Sequence, residues 1–111
     1  MSTVFDRERL LEQLQDASLV EELLSLFSVS IRQHIVELHE AKESRCVQSA
    51  QRAVHNIKGI SGTIYCQELH RIASAVDQAL KAGDMKPDEI TQLQDAAQEV
   101  LDTLDSDSSS A

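Results

Sequence analysis

Four residues in the stretch "AVHNIKGISG" (53–62) could do chemistry together: His55, Lys58, Gly59 and Gly62. A solvent-exposed imidazole titrates near about 6.5, so at neutral pH much of it is uncharged and nucleophilic. A lysine at i+3 sits one helical turn away, with its ammonium in reach of whatever joins the ring. A phosphoryl group is the natural guest, because an ammonium neutralises its oxygens as a point charge. The glycines are harder to explain, since each costs a helix interior roughly 1 kcal/mol relative to alanine.

Position on the helix suggests why they are tolerated. The apolar repeat of this segment runs Val47, Ala50, Val54, Ile57, Ser61 and Ile64, at spacings of 3 and 4. With Val54 at heptad position a and Ile57 at d, His55 falls at b, Lys58 at e, Gly59 at f and Gly62 at b. All four lie on the outer face, with Gln48, Gln51 and Arg52. The glycines would then clear the surface beside the histidine for a partner that must come close. Arg52, at i−3 from His55, is placed to attract phosphate. His70, early in the next segment, is placed to line the same face.

The sequence lacks the means to take a phosphoryl group from ATP. It has no GxxxxGK loop, no kinase-type glycine loop and no acidic cluster arranged as a magnesium pocket. His34 flanks an apolar stripe and reads as a core-edge residue. His39 and Glu43 are i, i+4 neighbours, but two ligands do not make a metal site. No metal or cofactor is expected on this chain.

Five helical segments must position these residues: about 6–15, 18–43, 45–64, 67–82 and 87–104. Asp6 and Ser18 read as N-caps of the first two. Gly83-Asp84 reads as a C-cap, and Pro87 with Asp88 and Glu89 as a helix start. The stripes Val20, Leu24, Phe27, Ile31, Ile35, Leu38 and Leu69, Ile72, Val76, Ala79 and Ile90, Leu93, Ala97, Val100, Leu104 are narrow, so each helix must bury one face. Short connections favour antiparallel neighbours. The expected fold is all-α: an up-down-up-down four-helix bundle with an additional short N-terminal helix. Residues 1–104 form a single domain, and 105–111 ("DSDSSSA") a disordered acidic and serine-rich tail.

Composition agrees and limits the partners. Only Phe5, Phe27 and Tyr65 are aromatic among 111 residues, so the core is aliphatic. The net charge of −9 argues against nucleic acid. Residues 45–82 nevertheless carry five basic and two acidic side chains, a net +3, which could steer an acidic partner site. No run of about 18 apolar residues could span a membrane, and no apolar signal-peptide run opens the chain. Cys46 and Cys66 stand 20 residues apart, roughly 30 Å on one helix, beyond the ~7 Å a disulfide allows. A reduced, cytoplasmic protein is the simplest expectation.

The motif "HNIKG" resembles the H-x-x-K-G motif of histidine-containing phosphotransfer (HPt) domains of bacterial multistep phosphorelays. The similarity extends to "VFDRERLLEQL", "LVEELLSLFSVSIRQHIVELHEA" and "ELHRIASAVDQALKAGD". The resemblance implies that His55 is the phosphoacceptor and Lys58 the charge partner of the bound phosphoryl group. It implies that Gly59 and Gly62 let a receiver domain's aspartate come in line, and that the partner supplies the magnesium. The implied partners are response-regulator receiver domains and a hybrid sensor histidine kinase, met by a monomer with no kinase activity of its own. Docking in such domains uses apolar surface beside the histidine, for which Phe5, Leu11 and Leu26 are candidates. Many members have glycine where Tyr65 stands, so Tyr65 could lie on the docking face and select partners. Two rival readings are a helical adaptor that binds a receiver or kinase without carrying phosphate, and the dimerisation part of a histidine kinase. Four long amphipathic helices in one chain disfavour the second.

Overall fold

The computed structural model describes residues 7–109, and their side chains as far as Asp105. It contains five helices: α1 Arg7–Leu14, α2 Ala17–Ser44, α3 Val47–Thr63, α4 Gln67–Lys81 and α5 Pro87–Ser109. No strand occurs among the described residues. Asp6 and Phe5, expected as a cap and a docking residue, lie outside them. α2 packs against α3 and α5, α4 packs against the same two helices, and α1 rests on α2. The 28 residues of α2 rise roughly 42 Å, which accounts for the 41 Å long axis of the molecule.

The aliphatic stripes are what hold it together. Ile31, Leu38, Val54, Ile57, Ile64, Ile90 and Leu93 are fully buried, while Phe27 and Tyr65 pack only partly against this core. On α4 the buried stripe runs Leu69, Ile72, Ala73, Val76 and Leu80, and Ala79 is only half-buried. Burial of a Leu, Ile or Val side chain contributes about 1.5–3 kcal/mol each, so these positions outweigh any surface pair.

Two boundaries differ from the sequence expectation. α2 is capped by Asp16 and not by Ser18: the Asp16 carboxylate accepts from the backbone N–H groups of Ser18 (2.9 Å) and Leu19 (3.2 Å). A carboxylate two residues earlier satisfies two orphan donors at once and also faces the positive helix end. The second difference is at the other terminus. α5 does not stop at Leu104 before a disordered tail but continues to Ser109. Asp105 is anchored to α2, accepting from Ser28 Oγ (2.8 Å) and pairing with Arg32 (3.0 Å), so the helix has a tertiary hold beyond its last apolar residue.

The chain reverses at α1–α2, α2–α3, α3–α4 and α4–α5 through one left-handed residue each: Gln15 (φ 54), Arg45 (φ 56), Tyr65 (φ 58) and Gly83 (φ 80). The last three are Schellman turns. The N–H of Cys46 donates to the carbonyl of Ala41 (3.0 Å), that of Cys66 to Ser61 (2.7 Å), and that of Asp84 to Ala79 (2.9 Å). Each bond ties a carbonyl of the last helical turn that would otherwise be orphaned. Only Gly83 is a residue that favours this conformation; the other three bear a Cβ, at roughly 1–2 kcal/mol each. Arg45→Gly removes that cost while adding some unfolded-chain entropy. It should therefore raise the unfolding free energy by about 0.5–1 kcal/mol, read as a higher urea midpoint at unchanged slope. A lower midpoint would mean the Arg45 side chain contributes more than its backbone costs.

Candidate functional site

The core face of α3 sets the orientation of everything on its other face. Ala50, Ala53, Val54, Ile57 and Ser61 are buried, and the helical period then turns His55 and Gly59 out to solvent, with Lys58 half-buried at the edge facing α4. His55 stands over a shallow groove between α3 and α4, lined by Gln48, Gln51, Arg52, Asp77 and Lys81.

Asp77 was not anticipated as a site residue. It is 1% exposed, on the apolar side of α4, three residues before Leu80 and four after Ala73. Its Oδ2 lies 3.1 Å from Lys81 Nζ and 3.6 Å from Lys58 Nζ. Neither carboxylate oxygen has a hydrogen bond of good geometry among the described residues, so its charge is balanced by the two ammonium groups at ion-pair distance alone. A buried carboxylate is tolerated only when paired. The signal in the sequence is an acid inside the helix-4 stripe. A stripe drawn through Ala79 in place of Leu80 put Asp77 outside it.

Lys58 is also held through its backbone. Its carbonyl accepts from Ser61 Oγ (2.8 Å) and from the Nδ1–H of His70 (3.2 Å). The carbonyl acceptor assigns the proton to Nδ1 of His70. The same ring stands over Gly62, where an added Cβ would meet its Nδ1 at 3.6 Å and its Cε1 at 3.7 Å. A Cβ added at Gly59 would meet no neighbouring atom of the described residues within 4 Å. The two glycines therefore have different surroundings: Gly62 abuts a side chain of the next helix, whereas Gly59 borders open space.

Tyr65 occupies the left-handed position that ends α3. Its ring is half-buried against the core, and the Arg9 guanidinium of α1 lies over it, 4.5 Å from the centroid. A cation over an aromatic face contributes about 0.5–1 kcal/mol at an exposed site, which offsets part of the backbone cost. Tyr65 thus links α1 to the α3–α4 turn. Arg52 is exposed and also borders a second groove, shared with Glu37, Glu40, Ala41, Ser44, Ser49 and Ala53.

The remaining titratable residues lie away from this groove. His34 is half-buried, with Nδ1 2.7 Å from Glu37 of its own helix. His39 and Glu43 are 3.9 Å apart and exposed. Among the described residues no three His, Cys, Asp or Glu gather at metal-binding distance, and no helix is long and apolar enough to cross a membrane. Leu11 and Leu26 are exposed, joined on α2 by Leu19, Val29 and Val36. Both cysteines are free and flank α3 at opposite ends.

Against this geometry, the family model described as Hpt domain matches residues 22–106, most of the chain and all of α3, α4 and the site. The chain belongs to the Hpt domain family. Hpt domains serve phosphotransfer in phosphorelays as carrier modules, not as kinases, and interact there with receiver domains and kinases. Neither the curated proteins nor the solved structures include a match to this chain.

Two outcomes test the local environments. Gly59→Ala should raise the unfolding free energy by about 0.8–1 kcal/mol, because the new methyl meets nothing. Gly62→Ala should raise it by less, because its methyl stands against the His70 ring, 3.6 Å from Nδ1 and 3.7 Å from Cε1, and limits how that ring can move. Equal effects at the two sites, by urea denaturation, would contradict the difference. The thiols should separate as well. The hydroxyl of Ser49, then the backbone N–H groups of Ser49 and Gln48, hold Cys46 below the ordinary thiol range, while burial pushes Cys66 up to about 12. Between pH 9 and about 12 the unfolded chain releases the Cys66 proton and the folded one retains it, so this group's contribution to stability falls as pH rises. At pH 7.5 iodoacetamide should modify Cys46 in the native protein and Cys66 only after unfolding; native labelling of both would refute the assigned burial.

Proposed function

We propose that this Hpt domain is a phosphocarrier whose phosphoacceptor is His55, passing a phosphoryl group between receiver-domain aspartates in a phosphorelay. The observation that supports the reading best is the bare, solvent-facing surface at Gly59, one turn beyond an exposed His55. A glycine there weakens the helix and no side chain of the described residues uses the space, so an external partner explains it.

In the forward step the lone pair of the unprotonated ring nitrogen of His55 attacks phosphorus in line. The N–P bond forms as the acyl O–P bond breaks, the bonding pair leaves with the receiver's carboxylate, and the proton on the other ring nitrogen is released to water. Lys58 neutralises the phosphoryl oxygens. Return to a second receiver's aspartate is the reverse. This chain contributes position and charge, and the receiver contributes the magnesium that polarises the phosphoryl group. Arg52, Gly59, Gly62, Tyr65 and His70 form the docking surface in this reading, and the basic balance of residues 45–82 steers the acidic receiver site toward it. We take the ring of helix contacts and the short connections to mean an antiparallel up-down-up-down bundle of α2–α5, a single domain that includes the whole of α5, acting as a cytoplasmic, bacterial monomer. Receivers and a hybrid sensor kinase are its partners.

The decisive experiment mixes the protein with a phosphorylated receiver domain and follows acid-labile, alkali-stable phosphate on this chain. Label should appear on wild type, be absent from His55→Gln, and appear more slowly on Gly59→Gln although that variant folds. Label persisting in His55→Gln would move the acceptor to another histidine. Binding of receivers without any label would make the domain a non-carrying adaptor.

A further inference from the structure

Asp77 presents an uneven arrangement. One buried carboxylate is shared by two lysines, at 3.1 Å from Lys81 and 3.6 Å from Lys58. The closer partner is on Asp77's own helix, one turn away; the farther one comes from α3, one turn beyond His55. Lys58 is therefore pointed at Asp77 when the imidazole carries nothing, although a phosphoryl group on His55 would require it. If Lys58 were the only partner of Asp77, moving it would strand a charge that is 1% exposed, which proteins avoid strongly.

We propose that Lys81 is a positioning residue for phosphotransfer: it retains Asp77 when Lys58 leaves that carboxylate for the phosphoryl group on His55. The proposal rests on His55 being the phosphoacceptor. No proton moves to or from either lysine, and the covalent changes are those of the transfer itself: the N–P bond formed, the O–P bond broken and the imidazole N–H proton released to water. Only the ion pairing changes, from one carboxylate with two lysines to one lysine on the carboxylate and one on the phosphoryl group. The groove that carries His55 also holds Asp77 and Lys81, and both lysines keep part of their side chains in solvent, 34% for Lys58 and 58% for Lys81. The long stems can thus move without repacking the core. Lys81 touches neither substrate nor reacting atom; it acts through Asp77 on Lys58.

The test is a double-mutant cycle on the rate of phosphoryl uptake from a phosphorylated receiver domain, with urea midpoints to verify folding. Lys81→Gln should slow uptake by about tenfold and Lys81→Arg should restore most of it, the charge and not the packing being what matters. In the Asp77→Asn background Lys81→Gln should have no further effect, since no carboxylate remains to hold Lys58. Should Asp77→Asn fail to fold, lysine Nζ NMR on the wild type reads the same exchange. The Lys58 signal should shift when the protein is phosphorylated, and the Lys81 signal should stay in the environment of the carboxylate. Lys81→Gln without effect, Lys81→Gln equally slow with and without Asp77, or a Lys58 signal unmoved on phosphorylation would each overturn the proposal while leaving the carrier reading intact. A wild-type protein that takes up no label from receivers it binds overturns both.

Discussion

Burial of Val54 and Ile57 is the constraint on which the site depends. Both are fully inaccessible, and an α-helix with two such anchors three residues apart has no rotational freedom left about its axis. His55, one residue from an anchor, must then face outward, and Lys58, one residue from the other, must lie along the seam with α4. The same burial explains why weak helix formers are tolerated on the exposed side. The free energy that fixes α3 comes from packing of its inner face, so a glycine outside costs stability without costing orientation.

Electrostatics act on top of that frame and at short range. The chain carries −9 overall, yet the only acid buried among the described residues is Asp77, and it is met by two cations from adjacent turns of two helices. A carboxylate at the α3–α4 seam ties the register of the two helices to the position of the Lys58 ammonium. Lys58 is in turn restrained at its carbonyl by Ser61 and His70. Side chain and backbone of one residue are thus held by three neighbours, while the imidazole one turn before it remains accessible.

The chain reversals show a different balance. Three of the four left-handed turn residues are not glycine, so tertiary packing overrides local preference there. Tyr65 is the most informative, because its side chain has a visible partner in the Arg9 guanidinium, 4.5 Å from the ring centroid. A left-handed backbone favours glycine, and the half-buried ring beneath Arg9 is what tyrosine contributes there instead.

The sequence by itself determined the number of helices, most of their limits to within two residues, the aliphatic core, and the outward placement of His55 and Gly59. These follow from a period of 3.6 residues and from which residue types leave water, both of which are local. Turn residues with positive φ, other than Gly83, were not legible, because Gln15, Arg45 and Tyr65 have no preference for that conformation. Neither was the extension of α5, which depends on Asp105 meeting Ser28 and Arg32 some seventy positions away. The pairing of Asp77 with Lys58, and the ring of His70 over Gly62, were decided only by how α4 lies against α3. A helical pattern says which face is buried but not which residues of a neighbouring helix stand opposite, and the electrostatics of this site reside in that opposition.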